Sequence, residues 1–351
     1  MRIFYIRRGR QDFSLIKRVH HSFNDLLEYR DQEGFFDASL EYAGEVEYVS
    51  LTDTQRILGE QNYDWIIINW KQQGFKDLND RVEAIFKYLG NTKINKALFI
   101  SAARADYMLP DSVLNNFDII FKREPYRDRN KYNISDKNKA KIVPTMIHCP
   151  FVHSSRNNLL SKMFHLVRPI IKPCTKGEEK YEVGFSGADA AEHSLRRDVW
   201  QRVVDEGFTK IGGLQPNPYT KRPIPEKLKG PRLRGKAYRD SLCQAKINLA
   251  LDGIGEYTFR HQELLYLGKF ILSSPTIRDL ELPIPLEEGK HYVAFDDLDD
   301  MVAKIRYYLE HEEERKQIAQ AGKELFDTYY NPEKHGQEIR KALKSSNKLG
   351  F

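Results

Sequence analysis

The stretch from Tyr238 to Pro275, YRDSLCQAKINLALDGIGEYTFRHQELLYLGKFILSSP, constrains this chain most. It alternates a helical pattern, a buried apolar strand, a glycine-containing loop, a second helix and a second apolar strand. Apolar runs alternating with helical patterns mark a parallel sheet covered on both faces. The strand Lys246–Leu251 then ends where open α/β sheets bind ligands, at their carboxyl edge. Tyr257 and Thr258 close the loop after it, and Thr258 is the expected N-cap of the next helix. Arg260 and Glu263 follow in the first turn, three residues apart and so on one face. A helix N-terminus favours a phosphate, Arg260 adds a forked cation, and Glu263 could accept hydrogen bonds from a sugar diol. The same pair is also what a solvated helix carries, stabilising it by only a few tenths of a kcal/mol. Spacing alone favours that plainer reading.

The rest of the chain repeats the alternation. Strands are expected at Arg2–Ile6, Glu45–Ser50, Asp64–Trp70, Lys96–Ser101, Phe117–Lys122 and Lys141–Cys149. Helical patterns run over Phe13–Tyr29, from a Thr52-Asp53 cap, and through Val82, Ile85, Phe86 and Leu89. Pro150, Pro169 and Pro173 break the rhythm over 150–180, with one short helix near Asn158–Leu166. It restarts with a strand at Tyr181–Ser186, a turn at Gly187, a helix at Ser194–Asp205, and a strand Phe208–Ile211 ending in Gly212-Gly213. A strand at Tyr292–Phe295 and helices over Asp296–Glu310 and Glu312–Tyr330 complete it. A chain of 351 residues exceeds what one core usually supports, so two domains are expected.

Composition narrows the partners. With 40% hydrophobic and 30% charged residues the chain reads as globular. No apolar run approaches the roughly 20 residues that span a bilayer, and the N-terminus lacks a signal-peptide core. Three cysteines, Cys149, Cys174 and Cys243, show no metal spacing, so a reducing cytoplasm is the expected compartment. The net charge of +6 does not by itself argue for nucleic acid. Eight basic residues crowd between Lys221 and Asp240. Such a run is usually a solvated loop; it could also steer an anionic substrate or make a peripheral contact with a membrane surface.

The order Tyr238, Leu242, Ala245, Lys246, Ile247, Leu249, Leu251, then Gly253 and Gly255, then Arg260, Glu263, Leu265 and Gly268 resembles the C-terminal domain of GT-B glycosyltransferases of the divergent family 1-like group. That resemblance implies an α/β chain of GT-B architecture: two Rossmann-like domains facing a cleft, with a C-terminal helix crossing back. The expected boundaries are 1–155 for an acceptor domain, 156–180 for a linker, 181–325 for a nucleotide-sugar domain, and 326–351 for the crossing helix and tail. It implies a metal-independent transferase without a cofactor, taking a nucleotide-sugar as substrate and a glycan or lipid-linked acceptor, with no nucleic acid. The expected donor-binding residues are Ser186, Gly187, Gly212, Gly213, Tyr257, Thr258, Arg260 and Glu263, with Glu263 on the ribose and a cation from 229–239 assisting Arg260. Glu256 and Glu263 stand seven apart rather than the eight of the group's paired glutamates, so only Glu263 carries over.

An inverting transfer needs a base for the acceptor proton. Strand-end loops of the first half offer Arg7, Arg8, Arg10, Trp70, Lys71, Arg104, Asp106, Lys122, Arg123 and Glu124. Asp106 and Glu124 are the catalytic candidates, Asp106 preferred for its shorter strand-end loop, and each reads more readily as half of an ion pair with Arg104 or Arg123. His148, His153 and His261 are more readily packed residues than catalysts. The paired acids Asp296-Asp297 and Asp299-Asp300 fall at a helix start, where they complement its dipole. Two other readings remain open: a non-catalytic GT-B-like binding or assembly protein of the spore-maturation kind, and a nucleic-acid binder using the basic run.

Overall fold

The computed structural model describes residues 1–7, 32–49, 51, 62–71, 78–89, 92–152, 178–189, 195–217 and 222–346. Strands β1 (Arg2–Ile6), β2 (Glu45–Val49), β3 (Trp65–Asn69), β4 (Asn95–Ile100), β5 (Ile119–Arg123) and β6 (Ile142–Thr145) pair in parallel, in the order β2-β1-β3-β4-β5-β6. The run DWIIINW becomes β3, buried at all five positions. Its alternate residues serve opposite faces: Ile66 and Ile68 join Phe4 and Ile6, whereas Trp65 and Ile67 join Ile3 and Tyr5.

A second parallel sheet follows, ordered β11-β10-β9-β7-β8, from β7 (Tyr181–Ala188), β8 (Lys210–Gln215), β9 (Ala245–Ala250), β10 (Ile271–Ser273) and β11 (Val293–Ala294). The strand order reverses between β7 and β9, and such a switch point opens a crevice at the carboxyl ends. Two expectations are corrected here. Gly187 lies within β7 rather than in a turn, and Gly212 and Gly213 lie inside β8 rather than beyond it. Both β8 glycines have positive φ, 96° and 137°. A Cβ at Gly212 would sit 1.8 Å from the Phe185 carbonyl oxygen, and one at Gly213 would sit 2.6 Å from the Gly230 nitrogen. Backbone packing therefore accounts for this glycine pair.

The longer helices among the described residues are α1 (Gly34–Ala43), α2 (Leu78–Leu89), α3 (Leu195–Asp205), α4 (Gly235–Cys243), α5 (Phe259–Leu267), α6 (Leu298–Glu310), α7 (Glu312–Tyr329) and α8 (Pro332–Ser346). The sequence reading missed α1 because most of its residues are buried, leaving no polar stripe to mark a period. Phe36 of α1 stacks on Phe99 of the sheet at 4.0 Å. On the other side α8 crosses so closely that a Cβ on Gly336 would lie 2.3 Å from the Ser39 carbonyl oxygen. This is the expected C-terminal helix returning to the first domain, and it begins at Pro332. Expectations for the helices at 13–29 and 158–166, the cap at 52–53, Arg8, Arg10, His153, Cys174 and Lys221 fall outside the described residues.

The domains meet along a continuous seam. Arg127 N donates to the Asp279 carbonyl and Glu281 N to that of Pro125, both at 2.7 Å. Lys131 pairs with Asp279 at 2.8 Å, and Arg129 pairs with Glu281. The Tyr330 hydroxyl accepts from Cys149 N at 2.7 Å and meets His148 Nδ1 at 2.9 Å, while its ring lies 4.7 Å from that of Phe35. His335 of α8 stacks on Phe35 and bonds Thr145 Oγ1 at 3.2 Å.

Burial lowers the His335 pKa to about 4. The folded state thus holds this ring neutral while the unfolded chain protonates it below about 6.5. Its contribution is present above pH 6.5 and declines as pH falls toward 4, by on the order of 3 kcal/mol. Thermal unfolding between pH 7 and 4.5 should show a smaller loss of Tm in His335→Gln than in the native chain. Equal losses would remove His335 as a cause.

Candidate functional site

The switch point between β7 and β9 is built around two arginines. Arg260 leaves the first turn of α5 and donates from Nη2 to the Ser186 carbonyl of β7 at 2.7 Å. Its guanidinium lies 5.1 Å from the centre of the Tyr238 ring, and Nε lies 3.5 Å from Glu263 Oε2. Tyr238 donates its hydroxyl to the same Glu263 oxygen. The expected side-by-side arrangement of Arg260 and Glu263 is therefore present, with side-chain exposures of only 11% and 6%. Arg260 Nη1 is buried and has no hydrogen-bond partner among the described residues. A charged donor left so costs about 1–3 kcal/mol or more.

The second arginine was missed by sequence reasoning. Arg196, in the first turn of α3, donates from Nε to the Asp252 carbonyl at 2.5 Å, from Nη1 to that of Ala188 at 3.1 Å, and from Nη2 to that of Leu251 at 3.4 Å. It thus clamps the end of β7 to the loop after β9. Burial, and then the like charge of Arg260, lower its pKa to about 10. Room for it depends on absent side chains: a Cβ on Gly253 would lie 2.5 Å from Nη2, and one on Gly187 would lie 3.3 Å from Nη1. The available signal was Arg196-Arg197 in a helix's first turn, where the dipole disfavours cations. Arg197 is paired with Asp189. Among the basic run, Lys227, Lys229 and Lys236 pair with Asp205, Glu226 and Asp240. Arg196 of α3 stands near enough to Arg260 to feel its charge.

The remaining donor-side candidates divide. Ser186 and Gly187 border the arginines, with Ser186 Oγ accepting from Gln215 Nε2 at 2.9 Å. Thr258 caps α5, and its backbone N–H donates to His261 Nδ1 at 3.1 Å. His261 Nε2 then carries the proton toward Ser273 Oγ, 2.9 Å away, and burial lowers its pKa to about 3. His261 is a neutral cap. Tyr257 is 1% exposed and stacks on His261 at 4.8 Å, so it supports the helix start from behind.

The first domain meets this site through the loop after β4. Ala105 N donates to Glu256 Oε2 at 2.9 Å, and a Cβ on Gly255 would lie 2.0 Å from the Ala103 carbonyl oxygen. Lys122 props that loop from below, donating to the carbonyls of Arg104 at 3.0 Å and Arg123 at 2.7 Å. Burial, then Arg123, lower its pKa. Asp106 forms a two-point pair with Arg104, at 2.9 Å through Nε and 2.5 Å through Nη2, and is 44% exposed. The hydrogen bond from Arg104 holds its pKa below the usual carboxylate range. Glu124 is instead fully enclosed: one oxygen takes Arg123 Nε at 3.1 Å and the other takes Ile147 N at 2.7 Å. Its φ of 45° is the left-handed exception among the described non-glycine residues. Arg7 pairs with Asp37 at 3.1 Å, and Trp70 donates to the Tyr107 hydroxyl at 3.2 Å. No cluster of three His, Cys, Asp or Glu among the described residues could hold a metal ion. Asp297 caps α6, accepting from Asp299 N and Asp300 N at 2.9 Å.

Residues 195–341 match the family described as Glycosyl transferase-like. The whole chain is similar in fold to HepE from Anabaena, solved with UDP and glucose, with a TM-score of 0.54 at 10% identity, covering 98% of this chain and 100% of that one. It is similar also to sucrose-phosphate synthase from Thermosynechococcus elongatus (TM-score 0.55, 8% identity, 99% and 100% covered) and to a glycosyltransferase from Rickettsia africae (0.56, 9%, 99% and 99%). The architecture is GT-B. A search by sequence among curated proteins finds no match.

The two carboxylates predict opposite behaviour on neutralisation. Glu124→Gln leaves Arg123 buried without its counter-charge and should destabilise the fold by about 3 kcal/mol or more in urea unfolding. Asp106→Asn, at a half-exposed pair, should change stability by about 1 kcal/mol at most. The reverse ranking would contradict the assigned roles.

Proposed function

We infer that this GT-B-fold chain, whose second domain is glycosyl transferase-like, transfers a hexosyl or pentosyl group from a nucleotide diphosphate-sugar to a glycan or lipid-linked acceptor. The observation that carries the reading is the buried, unpartnered Nη1 of Arg260 beside a second, half-buried arginine, at the switch point of a parallel sheet. Two like charges with an unmet donor between strand ends form an anion site, and a diphosphate satisfies both defects. HepE, solved with UDP-glucose, supports a nucleotide-sugar as the donor.

In this reading an acceptor hydroxyl oxygen bonds the anomeric carbon as the bond from that carbon to the diphosphate oxygen breaks, and the electron pair leaves with the diphosphate. Arg260 and Arg196 stabilise the charge that develops there, so neither a metal nor a cofactor is assigned. Glu263 fixes the guanidinium of Arg260 and faces the ribose, with Ser186, Gly187 and Thr258 offering hydroxyl or backbone donors to the phosphates. Gly212, Gly213 and Tyr257 shape the wall through backbone packing and burial. Asp106, the candidate carboxylate that reaches solvent, takes the acceptor proton if transfer inverts the anomeric centre.

A panel of nucleoside diphosphates should include one that stabilises the native chain by about 2–3 kcal/mol at roughly a hundred times its Kd. Arg260→Gln should weaken that ligand about tenfold to a hundredfold, the worth of a charged hydrogen bond. Release of free nucleotide from the matching nucleotide-sugar should survive a chelator and fall about a hundredfold or more in Asp106→Asn. The pairing of Asp106 with Arg104 favours a second reading, a chain that binds the nucleotide without transferring. Binding without nucleotide release in the presence of acceptor would select it.

A further inference from the structure

A cavity of about 800 Å³ lies away from both arginines, between β6, the segment 282–285 and α8. Its wall is mostly apolar, formed by Val143, Leu282, Ile284, Ile339 and Ala342, with His335, Gln337 and Ser345 as polar lining. Pro144, Pro283 and Pro285 also line it, and each removes a backbone N–H that water could bond. The apolar part of the wall thus offers water few partners, and the cavity's size is that of a small-molecule site, about 300–1,000 Å³. The rim is cationic. Lys334 and Lys341 border the cavity, and Arg340 and Lys344 border a smaller one that shares Gln337, Lys341 and Ser345 with it. All four cations are exposed. The opposing acid at this rim, Glu338, approaches Lys341 only to 3.8 Å.

We propose that α8 docks on an anionic lipid bilayer, with Arg340, Lys341 and Lys344 on the headgroups and one acyl chain drawn into the groove beneath Ala342. The three prolines offer a polar ligand no backbone N–H, whereas a hydrocarbon chain asks for none. The excess of positive charge fits an acidic headgroup above it. The inference is independent of the nucleotide site.

Flotation with vesicles of phosphatidylcholine, alone and with phosphatidylglycerol in equal parts, tests it. The native chain should float with the anionic vesicles and not with the neutral ones. Replacing Lys341 and Lys344 by Gln should weaken binding about twenty-five-fold, since each cation near an anionic surface contributes about a factor of five. Ala342→Trp, filling the groove while keeping every charge, should weaken it as well. Leu282→Gln, which makes the wall polar, gives the same test should the tryptophan variant not fold. No flotation, or flotation unchanged by both groove variants, would overturn the proposal.

Discussion

The hydrogen bond from Arg260 to the Ser186 carbonyl ties the helix after β9 to the end of β7. Both arginines of the site act across this junction. Arg196 donates to carbonyls from both sides of the same crevice, where the β7–β9 pairing has ended at Gly184 and Asn248, so a cation joins these two strand ends. Carbonyl oxygens at the carboxyl edge of parallel strands point outward without sheet partners, and guanidinium groups satisfy them while leaving net positive charge there. Mutual repulsion and one unmet donor are the cost of that arrangement, and the proposed diphosphate would relieve both.

The two domains are brought against this junction by backbone-level contacts. Gly255 lets the loop after β9 lie against Ala103, and Glu256 receives Ala105 N from across the gap. Lys122 supports the first-domain loop from inside, bonding carbonyls rather than a carboxylate. On the far side Tyr330 and His335 pin the C-terminal helices to the first domain through buried hydrogen bonds. The cleft is thus bounded by polar contacts at the loop and by aromatic packing at the back.

Much of this was legible in the sequence. The apolar runs at 65–69 and 245–250 are buried strands because period-two side chains face covered layers on both sides. Arg260 and Glu263 share a face because helical spacing requires it. Arg196 was not legible, since its role depends on the carbonyls of residues 188, 251 and 252, which only the folded sheet brings together. Helix α1 escaped for the opposite reason: covered by the sheet and by α8, it lacks the polar side that amphipathic patterning detects. Gly212 and Gly213 looked like a ligand-approach turn because close approach of backbone to ligand and of backbone to backbone use the same residue. The oxygens of Glu124 and the exposure of Asp106 differ through tertiary placement, which an arginine flanking each acid in the sequence does not reveal.

The most direct measurement is a crystal structure of the chain with a nucleoside diphosphate. The account predicts the diphosphate within hydrogen-bonding distance of Arg260 Nη1, with Arg196 on its other flank and the ribose toward Glu263. A nucleotide seated elsewhere, with Arg260 Nη1 still unpartnered, would contradict it.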